Sequence, residues 1–179
     1  MTVSLRPVAP GDLATIDGWA LAVGSDSYLS RTRPIAAGAD RHDPSSGLFW
    51  YLVIEDGREV GTVWIERLPA EPEARLGVFL GNEKDFGRGL GRAALRLALL
   101  EFSKDFPCEP ISLHVRRSNG RAIRCYLSVG FELADSGTKI LSSGRHIDYH
   151  RMVLPGACGA AAPGAGSRPA PPGQDETKE

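Results

Sequence analysis

The order of apolar and polar positions divides the chain into short segments with different periods. Residues 3–8 (VSLRPV) predict a short opening strand. Pro10-Gly11-Asp12 breaks it, and Asp12 is placed to cap a helix through about Ala22, with Leu13, Ile16 and Leu21 on its apolar side. Residues 23–47 are rich in Gly, Ser, Asp, Arg and Pro and lack a period; they suit a loop or a short helix over a site. Residues 48–55 are dense in aromatic and branched side chains, and Asp56-Gly57 follows as a hairpin turn. Residues 59–68 make the returning strand, residues 69–72 a second turn and residues 75–81 (RLGVFLG) a third strand, an antiparallel meander. The period then changes. Gly87, Gly89 and Gly91 lead into a helix marked by Leu95, Leu99 and Phe102 and stopped by Pro107 and Pro110. Residues 111–115 form a strand, 119–129 a helix ending at Gly130, and 131–133 and 147–154 two closing strands. The expected order is β-α-loop-β-β-β-α-β-α-β-β, an α/β fold with a mixed sheet and no internal repeat.

Composition narrows the reading further. With 179 residues, 42% hydrophobic and 24% charged, the chain suits one globular domain. Its 21 basic and 22 acidic side chains give a formal charge of −1, which supplies no field for general nucleic-acid binding. The opening MTVSLRPV lacks the pattern of a secretory signal, and no uncharged apolar run approaches the roughly 18–20 residues of a membrane span. A cytoplasmic location is expected, with neither nucleic acid nor membrane as partner. Cys108, Cys125 and Cys158 are odd in number and widely spaced, which argues against a disulfide framework. From Pro155 the chain reads PGACGAAAPGAGSRPAPPGQDETKE, which cannot bury enough apolar surface to offset its ordering entropy. The expected division is a domain over residues 1–154 and a disordered Pro/Gly/Ala-rich tail over 155–179.

Two stretches carry chemistry. Phe86-Gly87-Arg88-Gly89-Leu90-Gly91 follows a strand and opens a helix. A helix start offers unpaired N–H groups and positive potential, and glycines let the backbone approach a phosphate closely. Arg88 and Arg92 add charge beside such a ligand. The stretch is not a Walker loop, which needs Lys-Ser/Thr after its last glycine, nor a dinucleotide fingerprint, whose spacing differs. Taken alone it equally fits a flexible turn before a structural helix. In the second stretch, residues 118–131 (SNGRAIRCYLSVGF), Asn119, Ala122 and Tyr126 fall on one helical stripe. A slim ligand could pass over Ala122 between the amide and the phenol. Asn119 also suits a plain helix cap, and Tyr126 a core aromatic.

Together, GRGLG opening a helix, a strand, and N-x-R-A-I-x-x-Y-x-x-x-G-F resemble the two core motifs of the GNAT superfamily of N-acetyltransferases. The similarity is continuous over about residues 74–133. LGVFLG and the ending GRHIDYHRM resemble the branch holding spermidine and ribosomal-protein N-terminal acetyltransferases. The loop departs from the superfamily's usual Gln or Arg at its first position; Phe86 is the aromatic common in that branch. The resemblance implies a single GNAT-like domain whose sheet is mostly antiparallel, splayed at its central strands and flanked by helices. It implies acetyl-CoA as co-substrate and no metal, with its pyrophosphate on Gly87, Arg88, Gly89, Leu90, Gly91 and Arg92. The pantetheine arm would lie between RLGVFLG and ISLHV near Phe79 and Leu80 and touch Asn119. Tyr126 matches the family's general acid.

In that chemistry an amine attacks the thioester, backbone N–H groups at the splayed strand stabilise the oxyanion, and a phenol protonates the leaving thiolate. His114 is the first candidate for the base, on the face of its strand shared with Ser112 and Arg116. A hydrogen-bonded structural histidine fits the same position. Glu66 and Glu73 are weaker candidates, read as surface charges, and Cys125 reads as a small buried residue. The acceptor is an amine on a protein N-terminus, a polyamine or another small molecule, contacted by residues 10–48 and 134–147. A homodimer is compatible with this. Alternatives are an aminoglycoside N-acetyltransferase, since SNGRAIRCY also resembles that group's helix, and a non-catalytic acetyl-CoA-binding module.

Overall fold

The computed structural model describes residues 1–23, 31–36, 38–140 and 144–156. The expected tail therefore lies, from residue 157 on, outside the described residues. Asp56 and Gly57 both take positive φ, 46° and 84°, the paired left-handed geometry of a tight hairpin. They join β2 (Leu48–Glu55) to β3 (Arg58–Glu66), which continues to β4 (Ala74–Leu80). β1 (Val3–Pro7) flanks β2, while β5 (Ile111–Arg116), β7 (His146–Leu154) and β6 (Glu132–Ile140) complete a seven-stranded sheet in the order β1-β2-β3-β4-β5-β7-β6. Every neighbouring pair is antiparallel except β4 and β5. The helices are α1 (Leu13–Ala22), α2 (Leu90–Asp105) and α3 (Gly120–Leu127). The expected element order and the mixed, mostly antiparallel α/β class are the observed ones. None of the described helices is long and apolar enough to cross a membrane.

Strand alternation sends each sheet face to a different helix layer. Phe49, Val63, Leu76 and Leu113 meet Leu95 and Phe102 of α2, whereas Trp50, Trp64 and Phe79 meet Ile16 and Ala20 of α1. Phe102 is fully buried, with Phe49 edge-on at 5.2 Å and Phe106 at 5.1 Å. Truncating it to Ala would cost about 3–5 kcal/mol.

The sheet opens between β4 and β5. Only Ala74 with Ile111 and Arg75 with Ser112 are in register, after which the parallel strands part. On β4 the backbone groups alternate sides: Ala74 N donates to Pro110 O, and Gly81 N donates to Val60 O. The same alternation turns the N–H and C=O of Leu76, Val78 and Leu80 into the gap and those of Gly77 and Phe79 toward β3.

Four expectations need correction. Asp12 does not cap α1; its carboxylate accepts from Ala9 N at 2.8 Å and from Arg6 at 2.9 and 3.0 Å, closing the preceding turn. Leu21 points to solvent, and Ala20 takes the buried position beside Ile16. The sixth strand runs to Ile140 instead of Leu133, because both its faces are exposed and its sequence carries no alternation. As for the cysteines, Cys125 is a free thiol but Cys108 is disulfide-bonded. Spacing along the chain could not show that the segment after β7 crosses Cys108 so closely that a Cβ on Gly156 would lie 2.0 Å from its carbonyl oxygen.

Candidate functional site

The loop before α2 is fixed by charge from beneath. Asn82 Oδ1 accepts from Lys84 N at 3.0 Å and starts a single turn, Glu83–Asp85. The buried carboxylates of Glu55 and Asp85 then hold two guanidiniums. Arg58 reaches Asp85 at 2.8 Å and Glu55 at 2.7 Å, while Arg88 reaches Glu55 at 2.6 Å and Asp85 at 2.9 Å. These arginines hold Asp85 below the usual carboxylate range, Arg58 contributing most. Gly87 and Gly89 follow with φ of 76° and 83°, a backbone that costs other residues roughly 1–2 kcal/mol. Leu90 anchors the first turn in the core, and the intrahelical ladder begins with Ala93 N donating to Gly89 O at 3.0 Å. The amides of Leu90, Gly91 and Arg92 precede that ladder and have no partner within the helix.

These amides border a cavity of about 340 Å3 that runs from the loop to the β4–β5 gap. Of the expected cofactor residues, Phe79, Leu80, Phe86, Gly87, Gly89 and Leu90 line it, as do Gly91, Arg92 and Asn119. Arg88 is not among them, because Glu55 and Asp85 draw its guanidinium under the loop. Two arginines that sequence reasoning passed over take its place. Arg121 and Arg124 of α3 line the cavity, and Arg121 lies 3.8 Å above the centroid of Phe86. Their i, i+3 spacing beside Asn119 was a legible signal. Cys125 also lines this cavity, its thiol pKa raised by burial despite the opposing effect of Arg92.

A second cavity, of about 110 Å3, lies on the other side of the gap. Val78, Asn119, Ala122 and Tyr126 line both cavities, so the predicted stripe of α3 sits where they adjoin. Asn119 caps α3, its Oδ1 accepting from Ala122 N at 3.1 Å, and it lines both spaces. Tyr126 is buried, its ring edge-on to Phe131 at 5.9 Å. Burial, with a smaller contribution from Cys125, raises the phenol pKa, so it stays protonated at neutral pH.

His114 lines the second cavity, with Tyr149 at 4.9 Å between ring centroids. The residue is exposed to solvent. Partial burial first, then Arg75, Arg31 and Arg151, lower its pKa against the pull of Asp135. The imidazole is therefore neutral at neutral pH. Glu66 is not the surface charge expected. Its side chain is buried and accepts from Ile35 N at 2.7 and 2.9 Å and from Ala36 N at 2.9 Å. Glu73 pairs with Arg151; burial alone would raise its pKa, but Arg151, Ser112 and Arg75 together bring it below the usual range. Arg31 and Arg75 also line the second cavity, and nothing in their sequence context marked them. Among the described residues no cluster of His, Cys, Asp and Glu has a metal-binding arrangement.

This geometry agrees with what known proteins of similar sequence and fold are. A protein-family model described as the Acetyltransferase (GNAT) family matches residues 18–131. An uncharacterised N-acetyltransferase of Bacillus subtilis, YdgE, is 27% identical over 94 residues, 52% of this chain; the chain spans 60% of that relative's length. Among solved structures, the aminoglycoside acetyltransferase AAC(6')-Ib in complex with paromomycin and acetyl-CoA shares the fold with a TM-score of 0.64 at 24% identity, covering 87% of this chain and 94% of that one. A spermidine N-acetyltransferase chimera from Vibrio cholerae and hSSAT shares it with a TM-score of 0.67 at 19% identity, covering 87% and 96%. With the family model matched across most of the domain, from α1 through the glycine loop to the end of α3, this chain belongs to the Acetyltransferase (GNAT) family.

Proposed function

We propose that the protein is an acetyl-CoA-dependent N-acetyltransferase that moves an acetyl group to a primary amine by direct attack on the thioester. The observation that carries this reading is the meeting of two cavities along Asn119, Ala122 and Tyr126 at the parting of β4 and β5. One cavity begins at helix-start amides and three arginines, Arg92, Arg121 and Arg124, which suits the pyrophosphate end of a long anionic co-substrate. The unpaired backbone groups of Val78 and Leu80 suit its amide-bearing arm, as another strand would.

Acetyl-CoA supplies the activated acetyl group. The chain's own residues then divide the work. His114, neutral at neutral pH, takes a proton from the ammonium of the acceptor, directly or through water. A backbone N–H facing the gap, at Val78 or Leu80, receives the developing oxyanion. Tyr126, protonated and buried, gives its proton to the departing thiolate. Arg88 acts at one remove, holding the loop through Glu55 and Asp85. The catalytic unit is residues 1–154, with the tail outside it.

The test is thiol release from acetyl-CoA in the presence of a panel of amines, run beside Tyr126→Phe. Amine-dependent release that the variant loses supports the assignment. Acetyl-CoA binding without release for any amine would instead favour the non-catalytic binding module.

A further inference from the structure

Acetyl transfer requires only a neutral amine beside a thioester, and two arginines in the acceptor space are unneeded for that step. Arg31 and Arg75 line the second cavity with Glu66 and His114. The nearby Glu66 carboxylate spends its contacts on the backbone, with Ile35 N shared between its two oxygens and Ala36 N on one, so it reaches the arginines through its charge and not through a hydrogen bond. Arg75 gives one Nη2 contact to Glu71 at 2.8 Å, and Glu71 does not line the cavity. Among the described residues no carboxylate lies within ion-pair distance of Arg31. Burial is the main cause that destabilises the Arg31 charge; Glu66 offsets part of it, and Arg75 adds a smaller repulsion than Glu66 attracts. The other nearby carboxylates, Glu73 and Asp135, are both taken by Arg151.

A polyamine or an aminoglycoside would bring further positive charge to this surface and find few free acceptors there. A carboxylate between the two guanidiniums would relieve their repulsion and match their planar donor forks. Size points the same way, since about 110 Å3 is well under the roughly 300–1,000 Å3 of sites for drug-sized ligands. We propose that the acceptor is a small amino carboxylate, its carboxylate held by Arg31 and Arg75 and its amine directed to the gap at Tyr126. This rests on the acetyl-transfer reading, and binding and turnover separate the two.

The test measures calorimetric binding to the CoA-loaded protein, and thiol release from acetyl-CoA, for free amino acids each paired with its carboxamide. Spermidine and kanamycin are run alongside. At least one amino acid is expected to bind and react at least tenfold better than its amide. In Arg31→Gln and Arg75→Gln that preference should collapse toward unity, mainly through KM. An amino acid that binds with this preference but is never acetylated upholds the anion site and sinks the transfer reading. Equal binding of acids and amides, no binding by any amino acid, or preferred turnover of spermidine or kanamycin overturns the proposal.

Discussion

Removing the hydroxyl of Tyr126 while keeping its ring separates chemistry from packing. Tyr126→Phe retains the edge contact with Phe131, so the fold and acetyl-CoA affinity should persist. If the phenol is the acid, kcat falls by about 10²–10⁴; stopped-time thiol release at saturating substrates measures it, and near-normal turnover refutes the role. His114 gives a pH signature with a definite sign. Burial and neighbouring arginines lower its pKa, so the acidic limb of kcat/KM should lie below an ordinary imidazole's 6.5. Asp135 opposes that shift, so Asp135→Asn should move the limb to still lower pH, while His114→Ala should abolish it. A limb that stays in place in both variants would leave His114 a structural role. Such charges act through space, which is why the sequence could place His114 on the correct face of β5 yet could not show Arg31 and Arg75 beside it.

At the scale of elements, the loop preceding α2 and Glu66 at the end of β3 make different demands. Gly89 sits at φ 83° with only Arg92 near its missing Cβ, so Gly89→Ala tests backbone strain alone. Gly89→Asp adds a carboxylate facing the proposed phosphate site. Isothermal titration should show a modest loss of acetyl-CoA affinity for the first and abolition for the second; equal affinities would refute the loop assignment. On β3, Glu66→Gln leaves one oxygen for amides that now share two, a loss of about 1–3 kcal/mol. The acceptor's KM should rise while that of acetyl-CoA holds, which steady-state kinetics can separate.

Elements with a buried face were readable for a physical reason. α2 and α3 bury one side, which imposes the helical period, while β2 and β3 are buried on both faces and show as dense runs of apolar and branched residues. β6 buries neither face, so past Leu133 the segment ADSGTKI gave no reading as a strand. Arg88 was misplaced because Glu55, 33 residues earlier at the end of β2, joins the neighbouring Asp85 in holding it. Glu66 looked like a surface charge for the same reason: its partners are amides about thirty residues earlier.

For the molecule as a whole, a co-substrate that binds only the native state must stabilise it. At about 100 times its Kd, acetyl-CoA contributes about 2.7 kcal/mol, or roughly 5–10 °C in melting temperature for a domain of this size. Differential scanning fluorimetry reads this directly, and no shift would count against the large cavity as its site. A chain ending at Gly156 keeps every described element and the close approach to Cys108, and gives up only the Cys108 disulfide, since Cys125 is a free thiol. It is expected to retain the acetyl-CoA response and turnover. A large loss of turnover with the melting temperature kept would bring the remaining segment into the site.

Two rungs are all that join β4 to β5, so most of β4 on that side is an edge inside a sheet. Hydrogen exchange should therefore alternate along a single strand. Without ligand, the amides of Val78 and Leu80 should exchange quickly, while those of Phe79 and Gly81, bonded toward β3, are protected. A molecule with amides of its own, lying in the gap, would act as a temporary strand and slow the even-numbered positions selectively. The every-other-residue pattern would record the ligand's path through the sheet.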